Sequence, residues 1–264
     1  MYTGGVPTAH RDTAAEIRAH LRRTVAAIAE VSESDIGWTA RSAELPLVHT
    51  LNQVHISAPC SARDALALAD AQQAHLGYRH LVVDVPEVAA ALSGAVAAWN
   101  KTDREVLMAL SSAPARPVDT SRVSELNEEE AAVLMRRWLE EELTDAGSDV
   151  LAQLAAYQER EGRVWHERRL GARDPGGVPV ALTKLRSDAA GTAWVEDVYT
   201  VPEARGQGHA RALVTCAVDD ARARGHRLTF IVADDRDWPK ELYADVGFRP
   251  VAQVWTFHRD VGAA

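Results

Sequence analysis

The residues in this chain best suited to chemistry are Arg205-Gly206-Gln207-Gly208-His209-Ala210. They follow a stretch rich in β-branched and aromatic side chains (Val195, Val198, Tyr199, Val201), which Pro202 ends by removing a ladder donor. Behind them Leu213, Val214, Ala217, Val218 and Ala221 recur at helical spacing. Small residues at the mouth of a helix leave its first main-chain N–H groups bare, at the positive end of the helix dipole. That arrangement suits a phosphate or a pyrophosphate. The pattern is not G-x-G-x-x-G, and no lysine follows it as in a phosphate-binding P-loop. A Rossmann-type dinucleotide oxidoreductase is set aside on that ground.

The elements that must position this loop follow from periodicity and turn chemistry. Residues 13–31 carry Ala14, Ile17, Leu21, Val25 and Ile28, the stripe of an amphipathic helix. Residues 45–57 read as a strand around Val48, Leu51, Val54 and Ile56. Ser61 with Asp64 opens a helix that runs to Gly77. A strand at 80–85, a helix at 87–99 and a strand at 104–110 follow. Residues 111–120, SSAPARPVDT, hold two prolines and little apolar bulk, and mark a linker. Beyond it Val123 reads as strand, and Asn127 caps a helix whose first turn is Glu128-Glu129-Glu130. A second helix spans 149–161. Strands at 164–172 and 178–186 flank the Asp174-Pro175-Gly176-Gly177 turn. A strand at 228–232, a helix at 238–246 and a strand at 248–257 complete the chain. The fold class expected is α/β with a mixed sheet.

Two stretches share one grammar: strand, proline, helix, glycine, strand, aspartate, helix, aromatic residue, strand. Pro59, Gly77, Asp84 and Trp99 mark the first, and Pro202, Gly225, Asp234 and Phe248 the second. Asp84 to Trp99 is 15 residues and Asp234 to Phe248 is 14, while the glycine-loop interval is shorter in the first copy. This is a weak internal repeat. It divides the chain into a first unit at 1–110, the linker 111–120 and a second unit at 121–264.

Composition narrows the function classes. Of 264 residues 47% are hydrophobic and 25% charged, an ordinary globular balance that argues against a disordered chain. A net charge of −9 argues against bulk nucleic-acid or anionic-membrane binding. Cys60 and Cys216 form no CxxC pair, so neither a zinc site nor a disulfide scaffold is expected, and a reducing cytoplasm is. Arg11, Asp12, Glu16 and Arg18 stand where a signal peptide would need an apolar core. The histidines show no metal-ligand spacing. His166 and His258 read as ordinary surface residues of strands, and His209 as a solvent-facing ring.

Arg205, Gly208 and Ala210 fit R-x-x-G-x-A, and Leu242-Tyr243-Ala244-Asp245-Val246-Gly247-Phe248 follows a strand some thirty residues later. With these two motifs, residues 117–264 resemble the GCN5-related N-acetyltransferase (GNAT) family in its element order. The resemblance implies an N-acyltransferase fold with acetyl-CoA, or another acyl-CoA, as donor cosubstrate. Its pyrophosphate would sit on Arg205, Gly206, Gln207, Gly208, His209 and Ala210. Its pantetheine would pair with the backbone of Tyr199, Thr200 and Val201 like an added strand. Tyr243 matches the family tyrosine that protonates the departing thiolate. A thiol near pKa ~8.5 and a phenol near ~10 are close enough for that exchange. An amine must lose its proton before it attacks a thioester, and a carboxylate is the natural acceptor. Glu196 is the candidate base, a structural strand carboxylate being the competing reading, and alternation sends Asp197 to the opposite face. An oxyanion donor is also needed, most simply a main-chain N–H near Val201.

The run Asp234-Asp235-Arg236-Asp237-Trp238-Pro239 departs from the family, which often carries an asparagine there. Its acids, at the expected cleft mouth, fit either a cationic acceptor or a solvated loop. In the first unit Gly94 stands where Tyr243 stands in the second, and the glycine loop is missing. That unit resembles the degenerate half of tandem acetyltransferases and would wall the acceptor pocket. The implied activity is transfer of an acetyl group to a primary amine of a small molecule or peptide, in a monomer or homodimer. A non-catalytic acyl-CoA-binding regulatory module is the alternative.

Overall fold

In the computed structural model, residues 8–97, 99, 101–144 and 146–261 are described. The side chain of Arg11 and the two chain ends named in the unit boundaries lie outside the described residues. The first half runs α1 (Thr8–Ala26), β1 (Glu30–Ser34), β2 (Gly37–Arg41), a 3-10 turn at His49–Leu51, β3 (Val54–Ile56), α2 (Ala62–Gln72), β4 (Tyr78–Val83), α3 (Pro86–Ala95) and β5 (Lys101–Leu110). The second runs β6 (Val123–Glu125), α4 (Glu128–Glu142), α5 (Ser148–Val164), β7 (His166–Arg173), β8 (Pro179–Ser187), β9 (Thr192–Thr200), a 3-10 turn at Pro202–Ala204, α6 (His209–Ala223), β10 (Leu228–Asp234), α7 (Pro239–Val246) and β11 (Phe248–Asp260).

Local signals place most of these elements. Ser61 accepts from Asp64 N at 3.1 Å, and Asn127 with Glu130 closes a reciprocal capping box at 2.9 and 3.1 Å. Pro86 and Pro239 open α3 and α7, where a missing N–H costs nothing. Asp174 closes its turn by accepting from Gly177 N at 3.0 Å and from Val178 N at 2.9 Å.

The expected strand at 45–57 is a strand only from Val54 to Ile56. Leu45, Val48 and Leu51 are spaced by three, not two, and all turn inward against Val25 and Trp38. The Asn52 amide then replaces a partner strand, donating to Leu45 O at 2.8 Å and Val48 O at 3.0 Å and accepting from Ser42 N at 2.9 Å. The hairpin of β1 and β2 carried no signal that sequence reasoning used.

All eleven strands join one mixed sheet in the order β1-β2-β3-β4-β11-β5-β10-β9-β8-β7-β6. Each half has one parallel crossover, β3 to β4 through α2 and β9 to β10 through α6. Their last strands are exchanged. β11 pairs antiparallel with β4, and β5 pairs antiparallel with β10 and with β11. Phe257 of β11 is fully buried among Leu81, Leu92 and the other core residues under α2 and α3. The units 1–110 and 121–264 are thus stretches of sequence whose final strands lie in each other's territory. The linker segment returns along the end of α7, Ser111 N reaching Gly247 O at 3.0 Å and Ala115 N reaching Asp245 O at 2.9 Å.

On the second half of the sheet, α6 and α7 cover one face over Val195, Leu213, Val218, Ile231 and Phe248. The other face carries α1 over Ile17, Leu107, Trp194 and Phe230, and α4 over Leu182 and Tyr199. No helix among the described residues is long and apolar enough to cross a membrane.

Candidate active site

β9 and β10 pair in parallel from Thr192 opposite Leu228 to Val195 opposite Ile231. Both strands continue beyond that point, unpaired with each other. The cause is a bulge: the register of β9 against β8 slips between Leu182 and Lys184, and Asp197 takes φ +52. A non-glycine residue there costs of order 1–3 kcal/mol, so the surroundings must hold it. Lys184 Nζ does so, 2.6 Å from Asp197 Oδ2 and itself 4% exposed, while Thr183 Oγ1 donates to Glu196 O at 2.8 Å. The bulge defeats simple alternation. Asp197 reaches Lys184, the cross-strand neighbour of Glu196, and so joins Glu196 on one face.

Main-chain direction at the end of β9 changes which donors are free. Val201 N donates to Val180 O at 3.0 Å, so the oxyanion donor expected near Val201 is committed to the ladder. Successive residues of a strand point their N–H groups to opposite edges, which turns that of Thr200 toward the opening. The Thr200 hydroxyl is buried without a hydrogen-bond partner. Tyr199 packs its ring against α4 and donates to Glu141 Oε2 at 3.1 Å. Arg205 braces the loop from the same carboxylate, pairing with Glu141 and donating from Nε to Thr200 O at 3.0 Å.

Gly206 and Gly208 take φ +76 and +85, conformations that a side chain disfavours, and a Cβ at either would meet no protein atom within 4 Å. Among the described residues no protein group accepts from the N–H groups of Gly206, Gln207, Gly208, His209 or Ala210. Gln207 is exposed and Ala210 half-buried. His209, expected in solvent, is 9% exposed, with Nε2 buried and unpartnered. It opens α6 three and four residues ahead of Ala212 and Leu213, and therefore shares their inward face.

Glu196 enters a buried charge cluster. Arg186, fully buried, contacts Glu196, Glu161 Oε2 at 2.8 Å and Glu167 Oε2 at 2.9 Å, and Tyr157 donates to Glu161 Oε1 at 2.8 Å. With the Lys184–Asp197 pair and Arg169, whose Nε lies 2.8 Å from Glu167 Oε1, three cations face four carboxylates. Burial pushes the Glu196 carboxyl well above its ordinary value against the pull of Arg186, and Asp197 and Glu161 add to the rise. Burial likewise raises Glu161. At Glu167 burial is outweighed by Arg186 and Lys184, which hold it below the usual range. Sequence reasoning missed Glu161, Glu167, Lys184, Asp197 and Arg186, since charged residues on helices and strands ordinarily face water.

Tyr243 lies on the other face, in the cluster that contains Leu213 and Val214 of α6. Burial pushes its phenol up to about 12, with the charge of Asp237 adding. Gly247 fixes the end of α7 at φ +114, and a Cβ there would collide with Ser112 O. The acidic loop is largely occupied by its own contacts. Asp235 binds Arg104 at 2.6 Å, Lys240 at 3.0 Å and Gln253 at 2.9 Å. Asp234 and Asp237 accept from nearby main-chain N–H groups at 2.7 Å. Glu196 and Tyr243 therefore flank the same strand opening from opposite faces.

His258 is not an ordinary surface residue. Its ring gathers with those of His49 and His80, while His166 is exposed as expected. Burial, with repulsion from His258, lowers His49 to about 4, and burial holds His80 well below its usual value.

Residues 132–248 match the family model described as the acetyltransferase (GNAT) family. No curated protein matches the chain. A GCN5-related N-acetyltransferase from Kribbella flavida superposes with a TM-score of 0.61 at 17% identity over 98% of both chains. A functionally unknown conserved protein from Staphylococcus epidermidis ATCC 12228 gives 0.64 at 15% identity, over 88% of this chain and 94% of that one. A tandem GNAT protein from the clavulanic acid biosynthesis pathway gives 0.51 at 16%, over 76% and 70%. At these identities the likeness is one of fold.

Proposed function

We propose, from the premise that residues 132–248 belong to the GNAT acetyltransferase family, that this protein moves an acetyl group from acetyl-CoA to a primary amine of a small molecule or peptide. The observation that carries the choice of acceptor is the excess of carboxyl groups in the cluster around Glu196, four against three cations. An amine entering there meets more carboxyl groups than cations, with Glu196 foremost among them.

The residues fit the donor. The bare N–H groups of Gly206 to Ala210 and the start of α6 would hold its pyrophosphate, and Thr200, with an orphaned hydroxyl, its pantetheine arm. Tyr199 and Val201 flank that contact, and Arg205 keeps the loop in place through Glu141. When bound, acetyl-CoA supplies an acyl thioester open to nucleophilic attack.

Glu196 takes the proton from the acceptor ammonium. An alkylamine near pKa ~10.4 and a carboxylate near ~4.3 are poorly matched, and each unit by which the carboxyl is raised narrows the gap by about 1.4 kcal/mol. Burial of Glu196 works in that direction. Tyr243 donates a hydrogen bond to the departing sulfur. The first unit, 1–110, lacks the glycine loop and the tyrosine and walls the acceptor side. It is joined there to α5 by Leu47 N donating to Gln153 at 2.8 Å and by the Glu44–Arg160 pair at 2.6 Å.

The contact of Arg186 with Glu196 favours a second reading, a non-catalytic acyl-CoA-binding module whose carboxylate is permanently paired. Calorimetric titration with acetyl-CoA, then thiol release over polyamines, aminoglycosides, amino acids and peptide N-termini, separates the two. Binding with turnover supports the enzyme, binding without turnover on any amine supports the module, and absence of binding removes both.

A further inference from the structure

His49 of the 3-10 turn, His80 of β4 and His258 of β11 come from distant parts of the chain, and one ring nitrogen of each lies within 4.8 Å of the others. His80 and His258 are direct partners across the β4–β11 pairing, which sets their Nδ1 atoms 3.4 Å apart. A tetrahedral zinc ion with Zn–N bonds of about 2.0–2.1 Å requires nitrogen–nitrogen separations of about 3.4 Å. The second nitrogen of His258, Nε2, lies 3.4 Å from Asp260 Oδ1. A carboxylate there accepts the Nε2 proton and leaves the Nδ1 lone pair directed at His80, the usual outer support of a metal-bound imidazole.

We infer that His49, His80 and His258 form a binding site for Zn2+ or another divalent transition metal that prefers imidazole, with Asp260 orienting His258. The choice of ion follows from an all-nitrogen donor set, which oxygen-seeking Mg2+ and Ca2+ do not favour. Three ligands leave one position for water or an exchangeable group. The site stands apart from the opening between β9 and β10, since β5 and β11 lie between β4 and β10 in the sheet. Its place is the joint where the C-terminal strand enters the first unit, so a bound ion clamps β11 to β4. Separations of 31 and 178 residues kept it from showing as a local motif.

The test uses the full chain stripped with a chelator and titrated with ZnCl2, followed by calorimetry, thermal melting and, for Co2+, the visible absorption of a tetrahedral ion. Expected are saturable binding of one ion per chain and a rise in Tm with Zn2+. His49→Ala, an exposed position, and His258→Gln should abolish both effects. Asp260→Asn should weaken binding by about 10- to 100-fold, as for other outer-shell partners. Acetyl-CoA titration and circular dichroism of each variant show that it is folded. Absence of saturable binding in the parent chain overturns the inference, as does undiminished binding in a His49→Ala variant that keeps its fold.

Discussion

Replacing Tyr243 by Phe removes one hydroxyl and leaves the ring packed among Leu213, Val214 and Phe248. Burial pushes the phenol up to about 12. A free thiol titrates near ~8.5, so full transfer of the phenolic proton to the thiolate is uphill by roughly 5 kcal/mol. In the proposed mechanism Tyr243 would keep its proton and act through a hydrogen bond to sulfur as negative charge develops there, the thiolate taking its proton from solvent. A hydrogen bond to a charged group contributes about 1.5–3 kcal/mol, which corresponds to a loss of roughly 10- to 150-fold in kcat. Because the bond strengthens only as charge develops, acetyl-CoA affinity in the variant should stay close to that of the parent. Thiol release measured from about pH 6 to 10, with calorimetry for binding, checks both values. The phenol remains protonated over that range, so neither protein should show a basic limb that belongs to Tyr243. Unchanged kcat in Tyr243→Phe would refute the reasoning, as would a fall in rate between about pH 8 and 10 that the variant abolishes.

Glu196 must be ionised to accept a proton, and burial raises its pKa above the ordinary 4.5. The rate should therefore climb with pH through a value above the usual carboxylate range, and Glu196→Gln should lose about 100-fold or more together with that limb. A limb that survives the substitution assigns the base elsewhere. Gly208→Ala places a methyl group that meets no protein atom within 4 Å but stands at φ +85. The strain is about 1–2 kcal/mol, so a modest fall in Tm should accompany a larger fall in acetyl-CoA affinity, and equal losses would place the phosphate site elsewhere. Phe257→Ala empties the first unit's core from a strand of the second, at a cost of about 3–5 kcal/mol. Melting should show one transition, lowered, that carries acetyl-CoA binding with it. Two transitions with one unmoved would contradict the strand exchange.

Much of the second half was legible in the sequence because its signals are local. The Ser61–Asp64 capping pair, the Asn127 cap and the Asp174-Pro175-Gly176-Gly177 turn each depend on residues a few positions apart, and the structure forms all three. The element order around the loop at 205–210 and the helix bearing Tyr243 followed from them. The reading of 45–57 as strand failed because apolar composition was counted without its period, and Asn52 could satisfy the backbone without a neighbour. Asp197 was assigned to the wrong face because one inserted residue reverses alternation, and His209 because its exposure depends on the face of α6 that meets the sheet.

The sequence by itself determined the kind of fold, and it placed the glycine loop and Tyr243 proposed to serve the donor in the second half of the chain. Only the tertiary structure decided that β5 and β11 change places, that Glu196 sits among Arg186, Glu161 and Glu167, and that three histidines meet across the joint. The physical reason is range. Backbone conformation is set by near neighbours, whereas strand partners and buried charge contacts depend on which distant segments close the sheet, and no short window of the chain contains that choice.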